Sequence, residues 1–277
     1  MMDSHEHIDY LVVGHICYDL TPDGRVIGGS AAYAGSAAQV LGCRTAVVTS
    51  SAPEPWEVTL PDLAVHRIAS SQTTVFENVY TAEGRTQTIH AVAETIVRED
   101  IPSAWQRASI VHLAPIANEV DPSIIRLFSN SLVGLTPQGW MRRWDEKGRV
   151  FAGAWNAAEI YLRLAAAVII SEEDLLNDEM LEKYRKWSRL LVMTRGQEGC
   201  TLFLGQEVRH FPTMSGRVVD LTGAGDIFAT AFLIRLFQTG GNPSEAARFA
   251  NEAATRSITV SGLEQKMQVL REWGGGD

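Results

Sequence analysis

The sequence predicts an α/β fold with a mostly parallel central sheet and helices on both faces. Short apolar runs alternate with helical segments from about residue 109 onwards, and two glycine-rich segments each open a helical run. Two hairpin patterns interrupt the alternation early in the chain. Alternating strands and helices are typical of a parallel sheet covered on both faces. At 277 residues, the chain is long enough to bury the core of such a domain.

The first half of the chain predicts a buried strand, a small helix and two hairpins. Tyr10–Val13 is apolar throughout, and Ala31–Leu41 consists mostly of small helix-forming residues. The hairpins lie at about residues 15–28 and 73–93, and the second alternates polar and apolar residues, as a sheet with one wet face does. We expect both hairpins to form a small β lid over the site, within a single domain spanning residues 1–277.

The second half predicts strands separated by helices. Asp121-Pro122 and Asn242-Pro243 each indicate a helix start, with an N-cap residue followed by proline. Ligands of such sheets bind beyond the C-terminal ends of the strands, so we expect both glycine-rich segments at that edge. The apolar runs that predict strands are Ser109–Leu113, Leu132–Leu135, Ala167–Ile170, Leu190–Met193, Leu202–Leu204, Val208–Phe211 and a strand end at Val218-Val219.

Composition excludes several classes of function. The net charge of −9 disfavours nucleic acid or an anionic membrane surface as a partner. None of the four lysines follows a glycine, so a Walker A phosphate loop is absent. The three cysteines show no paired metal spacing, and the N-terminus resembles no signal peptide. We therefore expect a cytoplasmic protein that does not enter membranes.

The segment Asp220-Leu-Thr-Gly-Ala-Gly-Asp226 is the most informative in the chain. Gly223, Ala224 and Gly225 carry little side chain, so their N–H groups can approach an anion, and the following helix N-terminus adds positive charge. Asp226 would lie beside that anion, where it could take a proton from an attacking hydroxyl. This pairing is what phosphoryl transfer to an alcohol requires. A tight turn with Asp226 as N-cap is the alternative interpretation of the last four residues.

The same segment resembles the C-terminal signature of the ribokinase-like (phosphofructokinase-B-type) carbohydrate kinases, in which the last Asp is the catalytic base. Leu221 stands where the family has Thr. The spacing from Gly28-Gly29 to Gly42 is similar to the N-terminal signature of that family, although an alanine-rich packing helix is an alternative. The resemblance covers about residues 8–263. It implies a ribokinase-like fold and a kinase that uses ATP and Mg²⁺.

The resemblance also implies a set of substrate-binding residues. Asp19 would accept hydrogen bonds from substrate hydroxyls, and Gly28 and Gly29 would lie close to them. Tyr33 stands where the family commonly has Asn, which favours a ring or an apolar face in the acceptor pocket. Arg142 would face a phosphate, in a stretch that otherwise departs from the family pattern. A solvated turn for Asp19 and a surface ion pair for Arg142 are the alternatives.

On the nucleotide side, the resemblance implies that Thr194, Gly196 and Gly199 border the phosphates and ribose. Asn251 would lie near the adenine, and Thr222 next to the phosphates. A glycine-rich turn at 194–199 and a solvated Asn251 are the alternatives.

Two cation sites follow from the resemblance as well. Asp174, with Ser171, matches a family position that supports Mg²⁺, although Ser171 as N-cap of an acidic first helical turn explains the same residues. Asp220 and Thr222 match positions that in several relatives help to bind a monovalent cation, so K⁺ is a candidate cofactor.

The sequence thus predicts an ATP-dependent kinase that phosphorylates a hydroxyl of a small polyol, either a sugar or an inositol. A nucleoside kinase is one alternative, because Tyr33 could stack on a base. A non-catalytic ligand-binding or regulatory relative is another, because Ser171, Asp174 and Tyr33 depart from the family pattern. We expect a small-molecule substrate and ATP as ligands, and a homodimer formed through the lid.

Overall fold

A computed structural model describes residues 7–56, 60–81, 84–213 and 216–274 of the chain. The strands are β1 (Tyr10–Val13), β2 (Cys17–Thr21), β3 (Gly24–Gly28), β4 (Thr45–Ser51), β5 (Ala64–Ala69), β6 (Val75–Thr81), β7 (Gly84–Ala91), β8 (Ile110–Leu113), β9 (Leu132–Leu135), β10 (Arg142–Trp144), β11 (Val150–Ala152), β12 (Ala167–Ser171), β13 (Leu191–Thr194), β14 (Cys200–Leu204) and β15 (Glu207–Phe211).

The α-helices are α1 (Ser30–Val40), α2 (Ala158–Leu162), α3 (Asp178–Trp187), α4 (Ala224–Gln238), α5 (Pro243–Ser257) and α6 (Leu263–Trp273). Short 3₁₀ helices cover Arg98–Asp100, Ser103–Arg107, Pro122–Leu127, Pro137–Met141, Glu172–Asp174 and Gly196–Glu198. The helix expected at Asp121-Pro122 is thus a short 3₁₀ segment, in which Asp121 accepts a hydrogen bond from the Ser123 N–H at 2.8 Å.

The main sheet has nine strands in the order β15-β14-β13-β12-β9-β8-β1-β4-β5. From β13 to β5 every neighbouring pair is parallel, whereas β14 and β15 are added antiparallel at one edge. The predicted α/β class with a mostly parallel central sheet is therefore confirmed.

Two hydrophobic cores cover the two faces of this sheet. Side chains alternate along a strand, so in β1 Tyr10 and Val12 join one core and Leu11 and Val13 the other. Helices α1, α4, α5 and α6 contribute to the first core. Helices α2 and α3 and the 3₁₀ segment at Pro122–Leu127 contribute to the second. Helices thus cover both faces, as the strand–helix alternation predicts.

A smaller four-stranded sheet contains both of the early hairpins, in the order β3-β2-β6-β7. Its central pair is parallel, with Tyr18 opposite Val75, and the hairpins on either side are antiparallel. The predicted lid segments are therefore paired with each other. Their action as a lid and the single-domain division of residues 1–277 stay predictions.

One predicted strand end is wrong. Val218 and Val219 lie outside any strand, with 40% and 48% of their surface exposed. The Val219 N–H donates to the carbonyl of Ile258 at 2.8 Å, which ties the segment to the end of α5 instead of to a sheet. An adjacent pair of valines carries β propensity but no periodicity, so it cannot tell a strand from an exposed coil.

Candidate active site

The N-termini of α1 and α4 meet at one place. Ser30 is the first residue of α1, and Asp226 lies in the first turn of α4. The hydroxyl of Ser30, which is buried, lies beside the Asp226 carboxylate and lowers the pKa of Asp226. Gly223 precedes α4 with a φ of 73°, in the left-handed region that glycine adopts without strain. This contact brings the two glycine-rich segments of the sequence together.

Asp226 has the acid strength expected of a general base. Burial raises its pKa to about 6. The Ser30 hydroxyl and the Arg142 guanidinium oppose this shift by lowering the pKa of Asp226, whereas the carboxylates of Asp19 and Asp174 raise it further. A base with a pKa near 6 is mostly ionised at neutral pH and still binds a proton readily.

The backbone before Asp226 offers donors to an anion. The N–H of Ala224 donates to the carbonyl of Leu221 at 3.1 Å and so serves the turn itself. Among the residues that the structure describes, none accepts a hydrogen bond from the N–H groups of Gly225 and Asp226. The N–H of Gly223 likewise has no acceptor among the described residues. A Cβ added to Gly225 would meet no atom within 4 Å. The site therefore has three uncommitted donors and open space at a helix N-terminus.

The ring of Tyr33 packs against Gly223, in the loop that leads to Asp226. Its side chain is buried in the core, and a Cβ on Gly223 would collide with its ring. Burial raises the pKa of its hydroxyl, and the carboxylates of Asp220, Asp19 and Asp226 raise it further. Because the ring packs under Gly223, Tyr33 offers little surface to a substrate, which weakens the suggestion that it stacks on a nucleoside base.

Asp19 lies on β2, and a chain of amides holds it. The Nδ2 of Asn78 donates to Oδ1 of Asp19 at 3.0 Å, and the Nε2 of Gln87 donates to Oδ1 of Asn78 at 2.9 Å. A Cβ on Gly28 would collide with the other carboxylate oxygen of Asp19. Gly29 has a φ of 89°, and its Cβ would lie 3.1 Å from the N atom of Cys17. Both glycines therefore serve contacts inside the protein.

Arg142 follows the 3₁₀ segment at the end of β9. Its Nη1 donates to the carbonyl of Ile116 at 3.0 Å, and its guanidinium lies 5.7 Å from the centre of the Phe76 ring. Its charge lowers the pKa values of both Asp226 and Cys17. Arg142 is thus directed toward the region between the four-stranded sheet and Asp226.

The predicted nucleotide-side residues lie at the end of β13. Thr194 is the last residue of that strand, and its hydroxyl donates to the carbonyl of Ile170 at 3.3 Å. Gly196 has a φ of 51°, and a Cβ there would meet nothing within 4 Å. A Cβ on Gly199, at a φ of 93°, would collide with the carbonyl of Phe211, so this glycine is required by the turn.

Asn251 is buried on α5 and used within the protein. Its Nδ2 donates to the carbonyls of Phe211 and Pro212 at 2.9 and 3.3 Å. This accounts for a buried amide without a ligand. Thr222, directly before Gly223, donates its N–H to Oδ1 of Asp220 at 2.9 Å.

Asp174 ends the 3₁₀ segment after β12. Its Oδ1 accepts from Nε2 of Gln138 at 3.1 Å, and its Oδ2 accepts from the Ser171 N–H at 3.3 Å. Ser171 accepts in return from the Glu173 N–H, which completes the capping arrangement. Each carboxylate oxygen retains acceptor capacity, and the charge of Asp174 acts on Asp226, so both lie at the same sheet edge.

Sequence reasoning missed four residues that support the predicted ones. Ser30 faces Asp226, Asn78 holds Asp19, Gln138 holds Asp174, and Lys266 contacts Asp220. Ser30 could have been found from its place next to Gly28-Gly29. The other three contacts join residues at least 36 positions apart, and no local pattern indicates them.

An acid beside uncommitted backbone amides at a helix N-terminus is an arrangement that suits phosphoryl transfer. Residues 164–269 match the family model described as pfkB family carbohydrate kinase. The chain is 24% identical to a cytidine kinase of Thermococcus kodakarensis, over 96% of this chain and 98% of that protein. It is 31% identical to a fructokinase of Escherichia coli over 53% of this chain and 52% of the other.

Solved structures support the fold. A pyrophosphate-dependent kinase in the ribokinase family, complexed with a pyrophosphate analog and myo-inositol, superposes with a TM-score of 0.78. It shares 20% identity with this chain, and the match covers 94% of this chain and 99% of that one. The predicted resemblance to the ribokinase-like carbohydrate kinases is thus confirmed, and the homologues of this chain are phosphotransferases with alcohol acceptors.

No described helix has the length and apolar character needed to cross a membrane.

Proposed function

We propose that this protein is an ATP-dependent kinase that transfers the γ-phosphate to a hydroxyl of a small polyol, with a sugar or an inositol as the first candidates. The proposal depends on one juxtaposition. Asp226, with a pKa of about 6, shares the start of α4 with the uncommitted N–H groups of Gly225 and Asp226. A proton acceptor beside donors for a developing negative charge is the minimum that in-line transfer to an alcohol needs.

In the proposed reaction, Asp226 accepts the proton of the attacking hydroxyl. The N–H groups of Gly225 and Asp226 stabilise the charge on the transferred phosphoryl group. Asp19, held by Asn78, accepts hydrogen bonds from other hydroxyls of the acceptor, because a carboxylate is an acceptor only. The Ser30 hydroxyl and the Arg142 guanidinium lower the pKa of Asp226 against the effect of burial, which favours the ionised carboxylate near neutral pH.

Asp174 is the residue that fits a role in holding Mg²⁺. Its two oxygens each accept one hydrogen bond and can accept more, which suits contact with waters of a hydrated ion. Mg²⁺, when bound, neutralises charge on the donor phosphates. Gln138 orients the Asp174 carboxylate for this role.

The identities of the acceptor and the donor have specific alternatives. A relative that matches over nearly its whole length is named a cytidine kinase, which favours nucleosides as second candidates for the acceptor. Pyrophosphate is a second candidate for the donor, because a structural neighbour is pyrophosphate-dependent and Asn251 already donates to two carbonyls.

The test is an assay of phosphoryl transfer from ATP or pyrophosphate to panels of sugars, inositols and nucleosides, read by ³¹P NMR of the product. We expect one class of acceptor to be phosphorylated with ATP. Product formed only with pyrophosphate would correct the donor. Tight binding of an acceptor without any transfer would overturn the kinase proposal in favour of a ligand-binding protein. We also expect a homodimer formed through the four-stranded sheet, which light scattering tests.

A further inference from the structure

The position expected to bind K⁺ already contains a cation of the protein. Lys266 lies on α6, and its side chain is fully buried. Its Nζ donates to the backbone carbonyl of Asp220 at 2.6 Å and to that of Ser257 at 3.2 Å. The same Nζ lies 3.5 Å from Oδ2 of Asp220. Three oxygens therefore surround an ammonium group directly under the loop that leads to Asp226.

Two of the three donors of the ammonium group make hydrogen bonds there, and the Asp220 carboxylate lies 3.5 Å away as an ion-pair partner. An ammonium has N–H donors and no acceptor, so all three of these oxygens suit it. The Asp220 carboxylate also accepts from the N–H groups of Thr222 at 2.9 Å and Gly262 at 3.3 Å. The oxygens that a metal cation would need are thus already engaged.

The charges of Asp220 and Lys266 also balance each other. Asp220 and Lys266 form an ion pair in which Lys266 is buried and Asp220 is partly exposed. Burial lowers the pKa of Lys266, while Asp220 opposes that shift. Hydrogen bonds from Thr222 and the charge of Lys266 keep the pKa of Asp220 low against the effect of burial. A metal cation placed among the same oxygens would sit close to the ammonium, and like charges in a partly buried site repel strongly. The residues present therefore do not fit K⁺.

We propose that the ε-ammonium of Lys266 replaces the monovalent cation, so that the loop from Asp220 to Asp226 is ordered without K⁺. Lys266 is a positioning residue. It links α6 to the C-terminal end of α5 and to Asp220, the first residue of the loop. The Asp220 carboxylate in turn holds Thr222 by accepting a hydrogen bond from its N–H. The ordering of the loop by Lys266 does not depend on the proposed kinase function, whereas any effect of Lys266 on turnover does.

The first test uses the unaltered protein and thermal unfolding. Equal concentrations of KCl and choline chloride hold ionic strength constant, and choline is too large for the site. We expect the same midpoint in both salts, because no K⁺ binds the folded state. A midpoint that rises with KCl alone would overturn the proposal.

The second test removes the ammonium. Lys266→Ala should lower the unfolding midpoint by on the order of 10 °C, because it leaves Asp220 without its cation. KCl should now raise the midpoint of this variant above that in choline chloride. Lys186→Ala, which alters an exposed lysine of α3, is the matched control and should change neither value. A Lys266→Ala midpoint equal to that of the unaltered protein would contradict the proposal.

Turnover gives a third measurement once an acceptor is known. The unaltered protein should turn over equally in the two salts, and Lys266→Ala should require K⁺. If instead no acceptor is phosphorylated in either salt and the unfolding midpoint does not respond to K⁺, the kinase proposal is contradicted while the assignment of Lys266 stands. Turnover of the unaltered protein that requires K⁺ would overturn the assignment itself.

Discussion

The two glycine-rich segments look alike in sequence but use their glycines differently. Gly28 and Gly29 approach other parts of the protein so closely that a Cβ would collide with Asp19 or crowd the backbone before Cys17. Gly225 is surrounded by open space. A glycine that the protein itself requires is explained by packing, whereas one that nothing in the protein requires points to a ligand. The comparison thus separates a structural loop at Gly28-Gly29, whose glycines the packing requires, from the binding loop that we propose at Gly223–Asp226.

Gly223 lies between these two cases. Its positive φ and the ring of Tyr33 both require glycine, yet it begins the loop that presents the open N–H groups. The proposed binding loop is therefore fixed at Gly223 and open at Gly225. Rigid donors that need no rearrangement when charge develops are the arrangement that stabilises a transition state best.

The largest effect should come from the acid at the end of the binding loop. Asp226→Asn keeps the size and the contact with Ser30 but removes the proton acceptor. We expect kcat to fall by about 10²–10⁴-fold, with ATP binding largely retained. Steady-state kinetics and calorimetric titration with ATP measure the two quantities. Asp62→Asn, at an exposed position, is the control. Unchanged turnover in Asp226→Asn would show that Asp226 is not the general base.

The same carboxylate should set the acid limb of the pH profile. Its pKa is raised to about 6, so the protonated, inactive form accumulates as the pH falls through 6. We expect kcat/KM to be level above that pH and to fall about tenfold per pH unit below it. Arg142 lowers this pKa, so Arg142→Met should move the limb to higher pH. A limb that stays in place in Arg142→Met would show that another group titrates.

Gly225→Ala tests whether the open position serves a ligand. The added methyl meets no protein atom, and alanine is favoured over glycine in a helix by about 1 kcal/mol. The variant should therefore be at least as stable as the parent protein while its turnover falls on the order of tenfold, because the methyl occupies space beside the phosphoryl group. Thermal unfolding and kcat measured on one preparation decide the matter. Full activity together with raised stability would show that this space is not used.

The comparison also shows which parts of the molecule the sequence could predict. Most strands of the main sheet follow from local apolar runs and turn residues, although β5 (Ala64–Ala69) was not predicted. The hairpin at about residues 73–93 was visible because its periodicity changes to two. The pair Val218-Val219 misled because short apolar runs lack a period. Asp226 and its loop were predictable because the donors, the small residues and the acid are consecutive in the chain.

Contacts across the fold were not predictable. Lys266 lies in a helix whose other charges are exposed, and its partner Asp220 is 46 residues away. In the same way, Asn251 is a polar residue on an alanine-rich helix, and only the position of the Phe211 and Pro212 carbonyls shows that it ties two elements together. Such roles depend on which distant backbone oxygens come into reach, and sequence periodicity does not contain that information.

The smallest of these effects should come from the structural loop. A methyl group at position 28 would collide with the carboxylate of Asp19, which Asn78 and Gln87 hold in place. Gly28→Ala should therefore lower the free energy of unfolding by about 1–3 kcal/mol, as overpacking does elsewhere. Denaturant unfolding measures the loss, and Gly205→Ala is a control at a glycine with free space around it but a φ of 59°. Because that control carries backbone strain alone, a loss in Gly28→Ala no larger than in Gly205→Ala would mean that Asp19 moves aside. The two glycine-rich loops would then not differ in the way proposed.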